Sequence, residues 1–259
     1  KRERVIRKFS GAIALTSALC AWEVASRLEL LDPVLTSSPA RILAAARRLF
    51  SAGALEADIL FTLQVFSLSM ALAIMLGLAL GVAMGASQLV YRLLNPFVVM
   101  ANGLPKVVLM PWIVLWLGIS MAANVFLGTL MASFPIMTSV YGGMRAMEHD
   151  LIMLARAFGA SRVQLWRHIL IPALIPHLLA GIRIAISYTM VGVILAEFFA
   201  SNEGIGHRMV VYMSNFDVDA FFVCVVLVAA WTVACTSVVR LLERRIEPWR
   251  VGAFDTPGM

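Results

Sequence analysis

Six apolar stretches dominate the chain, and each is about as long as a helix that crosses a lipid bilayer. A hydrocarbon core about 30 Å thick requires about 20 predominantly apolar residues in a helix. The third stretch is the least regular, because it contains Pro105, Lys106 and Pro111. The pattern therefore predicts an all-α, polytopic membrane protein with six transmembrane helices. The predicted spans are Phe9–Leu28, Ile59–Ser87, Leu94–Leu117, Asn124–Met144, His177–Ala200 and Ala220–Leu241.

Composition excludes several other classes of protein. Apolar residues make up 61% of the 259 residues and charged residues only 14%, against about 45–50% and about 25% in a soluble domain. A soluble enzyme, a disordered chain and a nucleic-acid-binding protein are therefore all disfavoured. The net charge of +6 fits Lys and Arg side chains that face anionic lipid on the cytoplasmic side.

The distribution of Lys and Arg between the spans predicts the orientation of the chain. Fourteen of these residues fall on the side of the two termini, and five fall on the other side. Basic residues concentrate on the cytoplasmic side of membrane proteins, so both termini are predicted to be cytoplasmic. The basic residues 1–8 followed by the first span fit an uncleaved signal anchor. On the outer side, Ala40–Phe50 is predicted to form an amphipathic helix that lies on the membrane surface.

The segment Glu148–Pro172 is too charged to span a membrane, yet it carries an apolar helical stripe. Its apolar residues recur at helical spacing, and the stripe packs either on the protein's own spans or on a partner. Gly159 follows the stripe at the position of a C-terminal capping glycine. Ser161 and Gln164 then form the S-x-x-Q pattern of a capping box for a second helix. The stripe consists of Leu151, Leu154, Ala155 and Phe158.

This segment resembles the EAA loop of the membrane subunits of bacterial ABC importers, whose pattern is E-A-A-x3-G-x9-I-x-L-P. Gly159 is followed after nine residues by Ile169-x-Ile171-Pro172, while Met153 stands where the family has Glu. Other motifs are similar to the nitrate/sulfonate/taurine permease branch of the family over nearly the whole chain. They include Ser38-Pro39, Leu104-Pro105, Trp116-Leu117-Gly118-Ile119, Ala196-Glu197 and Gly204-Ile205-Gly206.

The resemblance implies a MetI-like permease fold in a single transmembrane domain, residues 1–259. This domain would have its core at 55–245, its anchor helix at 9–28 and a cytoplasmic coupling loop at 148–172. In the family, the coupling helix docks in a groove of a separate ATPase subunit. The ATPase-coupling residues implied here are Leu151, Leu154, Ala155, Phe158, Gly159, Ala160, Ser161 and Arg162.

The resemblance also implies the partners and the location of the chain in the bacterial inner membrane. The partners are two cytoplasmic ABC ATPase subunits, a second copy of the permease in a homodimer, a periplasmic substrate-binding protein and membrane lipid, but no nucleic acid. The chain contains no G-x-x-x-x-G-K-[ST] phosphate loop. We therefore expect no cofactor, metal or catalytic residue in this chain, and ATP and Mg²⁺ on the partner ATPase.

Ionisable and proline-flanked residues inside the spans are candidates for a substrate path, because an ionisable side chain in a membrane usually faces a cavity or a partner. Lys106 lies between two prolines, which are tolerated in a span where the backbone lines a cavity or is buried in protein. The resembled branch often transports anions, and this implies that Lys106 is a cation beside the path of a small anionic solute; a structural pair or a lysine that reaches the interface is the alternative. Glu197 is either a gate or a paired carboxylate. The candidate path residues are Lys106, Pro111, Trp112 and Glu197.

Two alternatives to an importer remain from the sequence. An ion-coupled secondary transporter would carry internal repeats and ion-binding carboxylates near mid-membrane, and no clear repeat is evident. An intramembrane enzyme would need a catalytic constellation, and no H-E-x-x-H or G-x-S-x-G pattern occurs. The resemblance therefore implies a membrane-spanning importer subunit that works by alternating access, with the secondary transporter as the alternative.

Overall fold

The computed structural model describes residues 2–30, 32, 34–147, 153–155 and 157–246, with only the backbone described for 2–12, 162 and 246. Helices and turns account for the regular structure of these residues, and no strand occurs among them. A 3₁₀ turn covers Lys106–Leu109 and a π-helical turn covers Trp166–Leu170. The α-helices are α1 (Arg2–Arg27), α2 (Pro39–Ser51), α3 (Glu56–Ala86), α4 (Gln88–Gly103), α5 (Met110–Leu117), α6 (Met121–Ala146), α7 (Arg162–Leu165), α8 (Ile171–Ala200), α9 (Ile205–Ser214) and α10 (Val218–Ile246).

Four helices of the described chain are long and apolar enough to cross a membrane. They are α3, α6, the continuous helix Val163–Ala200, which joins α7 to α8 through the π-helical turn, and Val218–Arg245 of α10. These four correspond to the second, fourth, fifth and sixth predicted spans. The number of crossings rises to five if the bent pair formed by α4 and α5 is one span. Helix α1 covers the predicted anchor, but the total of six crossings stays a prediction.

The third predicted span is not one straight helix. Its two halves, Gln88–Gly103 and Lys106–Leu117, meet at an angle of 94°. Leu104 is extended, with φ −79° and ψ 133°, because the ring of Pro105 disfavours helical backbone at the residue before it. Pro111 then occupies the first turn of α5, where the absence of a backbone N–H is tolerated. Pro105 therefore accounts for the break in this span, whereas Pro111 fits the helix that follows it.

Helices α3, α6 and α8 form the core of the fold. Small residues allow their backbones to approach closely. A β-carbon built on Gly81 of α3 would lie 2.8 Å from the carbonyl oxygen of Met137 in α6, and one on Gly192 of α8 would lie 3.1 Å from the Cα of Gly128. Buried apolar side chains fill the remaining space between the three helices, among them Ala73, Ala132, Ile136, Val140, Leu174 and Ala185.

Helix α2 packs against the ends of α9 and α10. Ser38 caps its N-terminus by accepting a hydrogen bond from the Arg41 N–H at 3.3 Å. Arg41 and Arg48 form ion pairs of 3.0 Å with Asp219 and Asp217 near the start of α10. The helix is amphipathic as predicted, but protein rather than lipid covers its apolar face. That face, Ile42, Ala45 and Leu49, lies in one cluster with Leu55, Ile205, Met209, Val223 and Cys224.

Candidate functional site

The described part of the segment between α6 and α7 ends as the sequence predicts. Residues 153–155 and 157 are helical, and Phe158 N–H donates to the Leu154 carbonyl at 3.1 Å. Gly159 then adopts a left-handed backbone with φ +80°, and Ala160 N–H donates to the Ala155 carbonyl at 3.0 Å. These two features are those of a Schellman C-cap. The predicted helix end at Gly159 is confirmed.

The capping box that starts α7 is also present. Ser161 N–H donates to Oε1 of Gln164 at 2.8 Å, and Gln164 N–H donates to Oγ of Ser161 at 3.3 Å. Each side chain thus accepts from the backbone of the other. Arg162 is the first residue of α7, but its side chain and the whole of Leu151 lie outside the described residues.

Two apolar side chains of this segment are largely uncovered by the described chain. Phe158 is 84% exposed and Leu154 is 55% exposed. Ala155 and Ala160 are half-buried, and Ser161 is exposed. Of the two alternatives for the predicted stripe, packing on the protein's own spans does not apply to Leu154 and Phe158. We call these two residues the apolar patch. Val163 on α7, which the sequence analysis did not single out, is 74% exposed beside this segment.

The break between α4 and α5 and the first turn of α5 hold three of the four candidate path residues. Lys106 is half-buried, and its Nζ lies 4.7 Å from the ring centre of Phe134 on α6. Trp112 is 64% exposed, and Pro111 is exposed as well. Pro111 lines an open groove of about 630 Å³ together with Val107, Val108, Met110, Val114 and Phe199.

Glu197, the fourth candidate, lies in a buried hydrogen-bonded cluster at the other end of α8 from the apolar patch. Its side chain is 0% exposed, and its Oε2 accepts from the Thr62 hydroxyl at 3.0 Å and from Gly206 N–H at 2.8 Å. It therefore lines no open surface in this structure, and its place on a substrate path stays a prediction.

Two residues of α3 complete this cluster. The Thr62 hydroxyl oxygen accepts from Ile205 N–H at 2.8 Å, and Asp58 Oδ1 accepts from Gly204 N–H at 2.9 Å. Asp58 Oδ2 accepts from Nε of Arg208 at 2.5 Å, and this hydrogen bond raises the pKa of Arg208. We call Asp58, Thr62 and Glu197 the α9 clamp, because each side chain accepts a hydrogen bond from a backbone N–H at the start of α9.

The sequence analysis missed Asp58 and Thr62. The motif Gly204-Ile205-Gly206 was the available signal, since paired glycines indicate a close approach of another group. A β-carbon on Gly204, whose φ is +101°, would lie 2.5 Å from Cδ of Glu197, and one on Gly206 would lie 2.6 Å from the Ile194 carbonyl oxygen. Within the part of the chain that the structure describes, no three His, Cys, Asp or Glu side chains are grouped so that they could hold a metal ion.

Comparison with known proteins decides the family. The family described as "Binding-protein-dependent transport system inner membrane component" matches residues 73–248, which is more than half of the chain. The chain belongs to this family. It is therefore the membrane permease subunit of an ABC importer, a multi-pass membrane protein without a catalytic role, and ATP hydrolysis is the task of a separate subunit.

Individual relatives of this permease agree with the family. It is 29% identical over 229 residues to the formylaminopyrimidine transport permease protein ThiX of Halalkalibacterium halodurans, covering 88% of this chain and 91% of the relative. It is 25% identical over 240 residues to the putative aliphatic sulfonates transport permease protein SsuC of Bacillus subtilis, covering 93% and 87%. These names differ in the solute that each relative transports.

The fold of this permease matches that of a solved ABC transporter. A chain of the MetNI methionine ABC transporter in an inward-facing conformation aligns with a TM-score of 0.64 and 19% identity, covering 73% of this chain and 94% of that one. The all-α, MetI-like permease fold is therefore confirmed. Membership of an importer family also decides between the alternatives that the sequence left, and it excludes the secondary transporter and the intramembrane enzyme as the principal function.

Proposed function

We propose that this permease is driven by a cytoplasmic ABC ATPase that docks on the apolar patch. The observation that carries the proposal is the exposure of Leu154 and Phe158 on a helical segment that ends at a glycine cap, directly before the capping box of α7. Exposed apolar patches of this kind usually mark an interaction site. Each such side chain contributes roughly 1.5–3 kcal/mol when it becomes fully buried, so the two together account for a substantial part of a docking interface.

The proposed mechanism is alternating access. ATP and Mg²⁺ bind to two copies of the ATPase, and closure of the ATPase pair pulls the docked segment so that the path opens to the outer side. A periplasmic binding protein delivers the solute there, and hydrolysis resets the path. Both termini of the permease are proposed to lie in the cytoplasm, in accordance with the distribution of Lys and Arg.

A second copy of the permease is proposed to complete the translocation path. The groove beside Pro111 is open on the surface of a single chain, and a path for a polar solute needs a wall that separates it from lipid. The bent pair α4–α5 would supply one side of this wall in each copy. A homodimer is the simplest assembly that places two such grooves around one axis.

The transported solute is proposed to be a small anion. Lys106 is half-buried against the ring of Phe134, and no carboxylate of the described chain lies within ion-pair distance of it. A cation at membrane depth is costly without a partner, and an anionic solute would compensate its charge during passage. The sulfonate-type relatives are consistent with this class of solute.

The docking proposal is tested by adding charge to the apolar patch. The double variant Leu154→Glu/Phe158→Glu should lose co-purification with the ATPase, because two carboxylates cannot be buried in an apolar groove without a large desolvation cost. Its spans should still insert in the membrane. The matched control, Gln88→Glu/Ala146→Glu, adds two charges at exposed positions outside the patch and the capping box and should retain the ATPase. Retention of the ATPase by both double variants would contradict the proposed docking site.

A further inference from the structure

One helix links the two functional ends of the molecule. The helix Val163–Ala200 is continuous over 38 residues, which corresponds to a length of about 57 Å at 1.5 Å per residue. It begins at the Ser161/Gln164 capping box, directly after the segment that carries the apolar patch. Glu197 of the α9 clamp lies in its last turn. A movement applied at one end of this helix therefore reaches the other end without crossing a loop.

The clamp attaches α9 to this helix and to α3. The N–H groups at the start of a helix have no partner within the helix, and here three consecutive ones, from Gly204, Ile205 and Gly206, are bound by Asp58, Thr62 and Glu197. All three clamp side chains are buried, with exposures of 3%, 4% and 0%. Separating α9 from α3 and α8 would leave these polar groups buried and unpaired, which is strongly disfavoured.

The contact between the clamp and α9 is also close-packed. The spaces beside Gly204 and Gly206 are filled by the Glu197 side chain and the Ile194 carbonyl, so that neither glycine has room for a β-carbon. A helix held at its first residues by hydrogen bonds and without free space moves as one body with the elements that hold it.

We infer that Asp58, Thr62 and Glu197 are positioning residues that make α9 move together with the outer end of α8. Movement of the apolar-patch segment is thereby transmitted to the face of the protein where α9 lies. This inference rests on the proposed function, in which an ATPase drives that segment. It assigns to Glu197 a mechanical role between helices, and it extends this role to Asp58 and Thr62, which precede the family-matched residues 73–248.

The test uses the complete transporter, with its ATPase, in lipid nanodiscs. Cys20, Cys224 and Cys235 are replaced, and the variant Met213→Cys places a single thiol on α9, where Met213 is 57% exposed. The rate of labelling by a bulky maleimide is measured without nucleotide and with Mg-ATP and vanadate. With an intact clamp, we expect nucleotide to change the labelling rate by about fivefold or more, the size of a typical coupling between sites.

Removing one hydroxyl group should uncouple α9. Thr62→Val has nearly the same shape but removes both hydrogen bonds of the Thr62 hydroxyl, and the labelling rate should no longer depend on nucleotide. Thr62→Ser keeps the hydroxyl and should restore the dependence. Co-purification of the ATPase and its basal ATP hydrolysis should be the same in all three proteins, a result that general unfolding would not produce.

A glycine pair gives a second, independent comparison. Gly206→Ala places a β-carbon within 2.6 Å of the Ile194 carbonyl oxygen, whereas a β-carbon on Gly142 meets nothing within 4 Å. Gly206→Ala should therefore abolish the nucleotide dependence of labelling, and Gly142→Ala should preserve it. If either Thr62→Val or Gly206→Ala fails to assemble, the other provides the measurement, and Asp58→Ala, which removes the acceptor of the Gly204 N–H, provides a third.

The outcomes separate this inference from the proposed function. Full nucleotide dependence in Thr62→Val and Gly206→Ala would overturn the inference. So would constant labelling in a clamp-intact transporter whose ATPase docks and hydrolyses ATP. Loss of the ATPase from the transporter with an intact apolar patch and clamp would instead contradict the proposed function.

Discussion

Gly159 shows how a single residue positions the apolar patch. Its φ is +80°, and a β-carbon at this position would meet nothing within 4 Å. The requirement for glycine is therefore conformational and not steric. An L-residue in left-handed backbone costs roughly 1–2 kcal/mol, while Asn adopts this conformation more readily than other side chains.

We therefore predict that Gly159→Val impairs the ATPase coupling of the permease, whereas Gly159→Asn largely retains it. A cost of one to two kcal/mol corresponds to roughly a 5–30-fold decrease in the population of the correct turn. The measurement is ATPase co-purification, followed by transport-coupled ATP hydrolysis in liposomes. Equal behaviour of the Val and Asn variants would show that the left-handed turn is not required.

Lys106 is the residue on which the proposed solute class depends. We predict that Lys106→Met decreases uptake of a radiolabelled alkanesulfonate roughly tenfold, equivalent to about 1.4 kcal/mol of lost interaction, and that Lys106→Arg retains most of the uptake. Expression and ATPase co-purification serve as controls for folding. Unchanged uptake by Lys106→Met would show that Lys106 has a structural role. A wild-type transporter that takes up neither the alkanesulfonate nor any other small anion would contradict the proposed solute class.

Among the helices, the contact of α3 with α6 depends on the absence of side chains at a few positions. Gly77 and Gly81 face Ile136 and Val140 so closely that a β-carbon at either position would lie within 2.8 Å of α6 atoms. The same close contact explains why these glycines recur every four residues, one helical turn apart.

We predict that Gly81→Ala destabilises the permease by about 1–3 kcal/mol, the usual cost of overpacking a core. The measurement is the midpoint of thermal unfolding in detergent. Gly142→Ala is the matched control, because the same methyl group enters open space in the same α6 helix that Gly81 contacts. A Gly81→Ala protein that unfolds at the same temperature as the Gly142→Ala protein would disprove this account of α3–α6 packing.

For the molecule as a whole, the orientation in the membrane decides which face meets the ATPase. The apolar patch lies at one end of the helix Val163–Ala200 and the α9 clamp lies at the other. The distribution of basic residues predicts that the patch and both termini are cytoplasmic. Helix α2, which packs on α9 and α10, would then be periplasmic.

This orientation is tested by labelling intact cells with a membrane-impermeant maleimide after removal of the native cysteines. Arg47→Cys, at an exposed position of α2, should be labelled, while a cysteine added after Met259 should react only once the membrane is permeabilised. Labelling of the C-terminal cysteine in intact cells would contradict the predicted topology and, with it, the cytoplasmic docking of the apolar patch.

Local patterns were sufficient for most of the helices and for the turn at Gly159. The long helices α3, α6, α8 and α10 follow from the length of their apolar stretches, because the thickness of the bilayer sets the length of a spanning helix. The glycine cap and the capping box follow from the residues Gly159, Ser161 and Gln164, because helix caps are formed between residues within a few positions of each other.

Contacts between residues distant along the chain required the tertiary structure. Asp58 and Gly204 are 146 positions apart, and Thr62 and Glu197 are 135 apart, so no local pattern pairs them, and the α9 clamp could not be predicted. The same reason applies to α2. Its amphipathic character was evident in the sequence, but whether lipid or protein covers its apolar face depends on where the later helices α9 and α10 pack. The periodicity of apolar residues specifies that one face of a helix must be buried. Only the packing of the whole chain specifies which residues or lipids bury it.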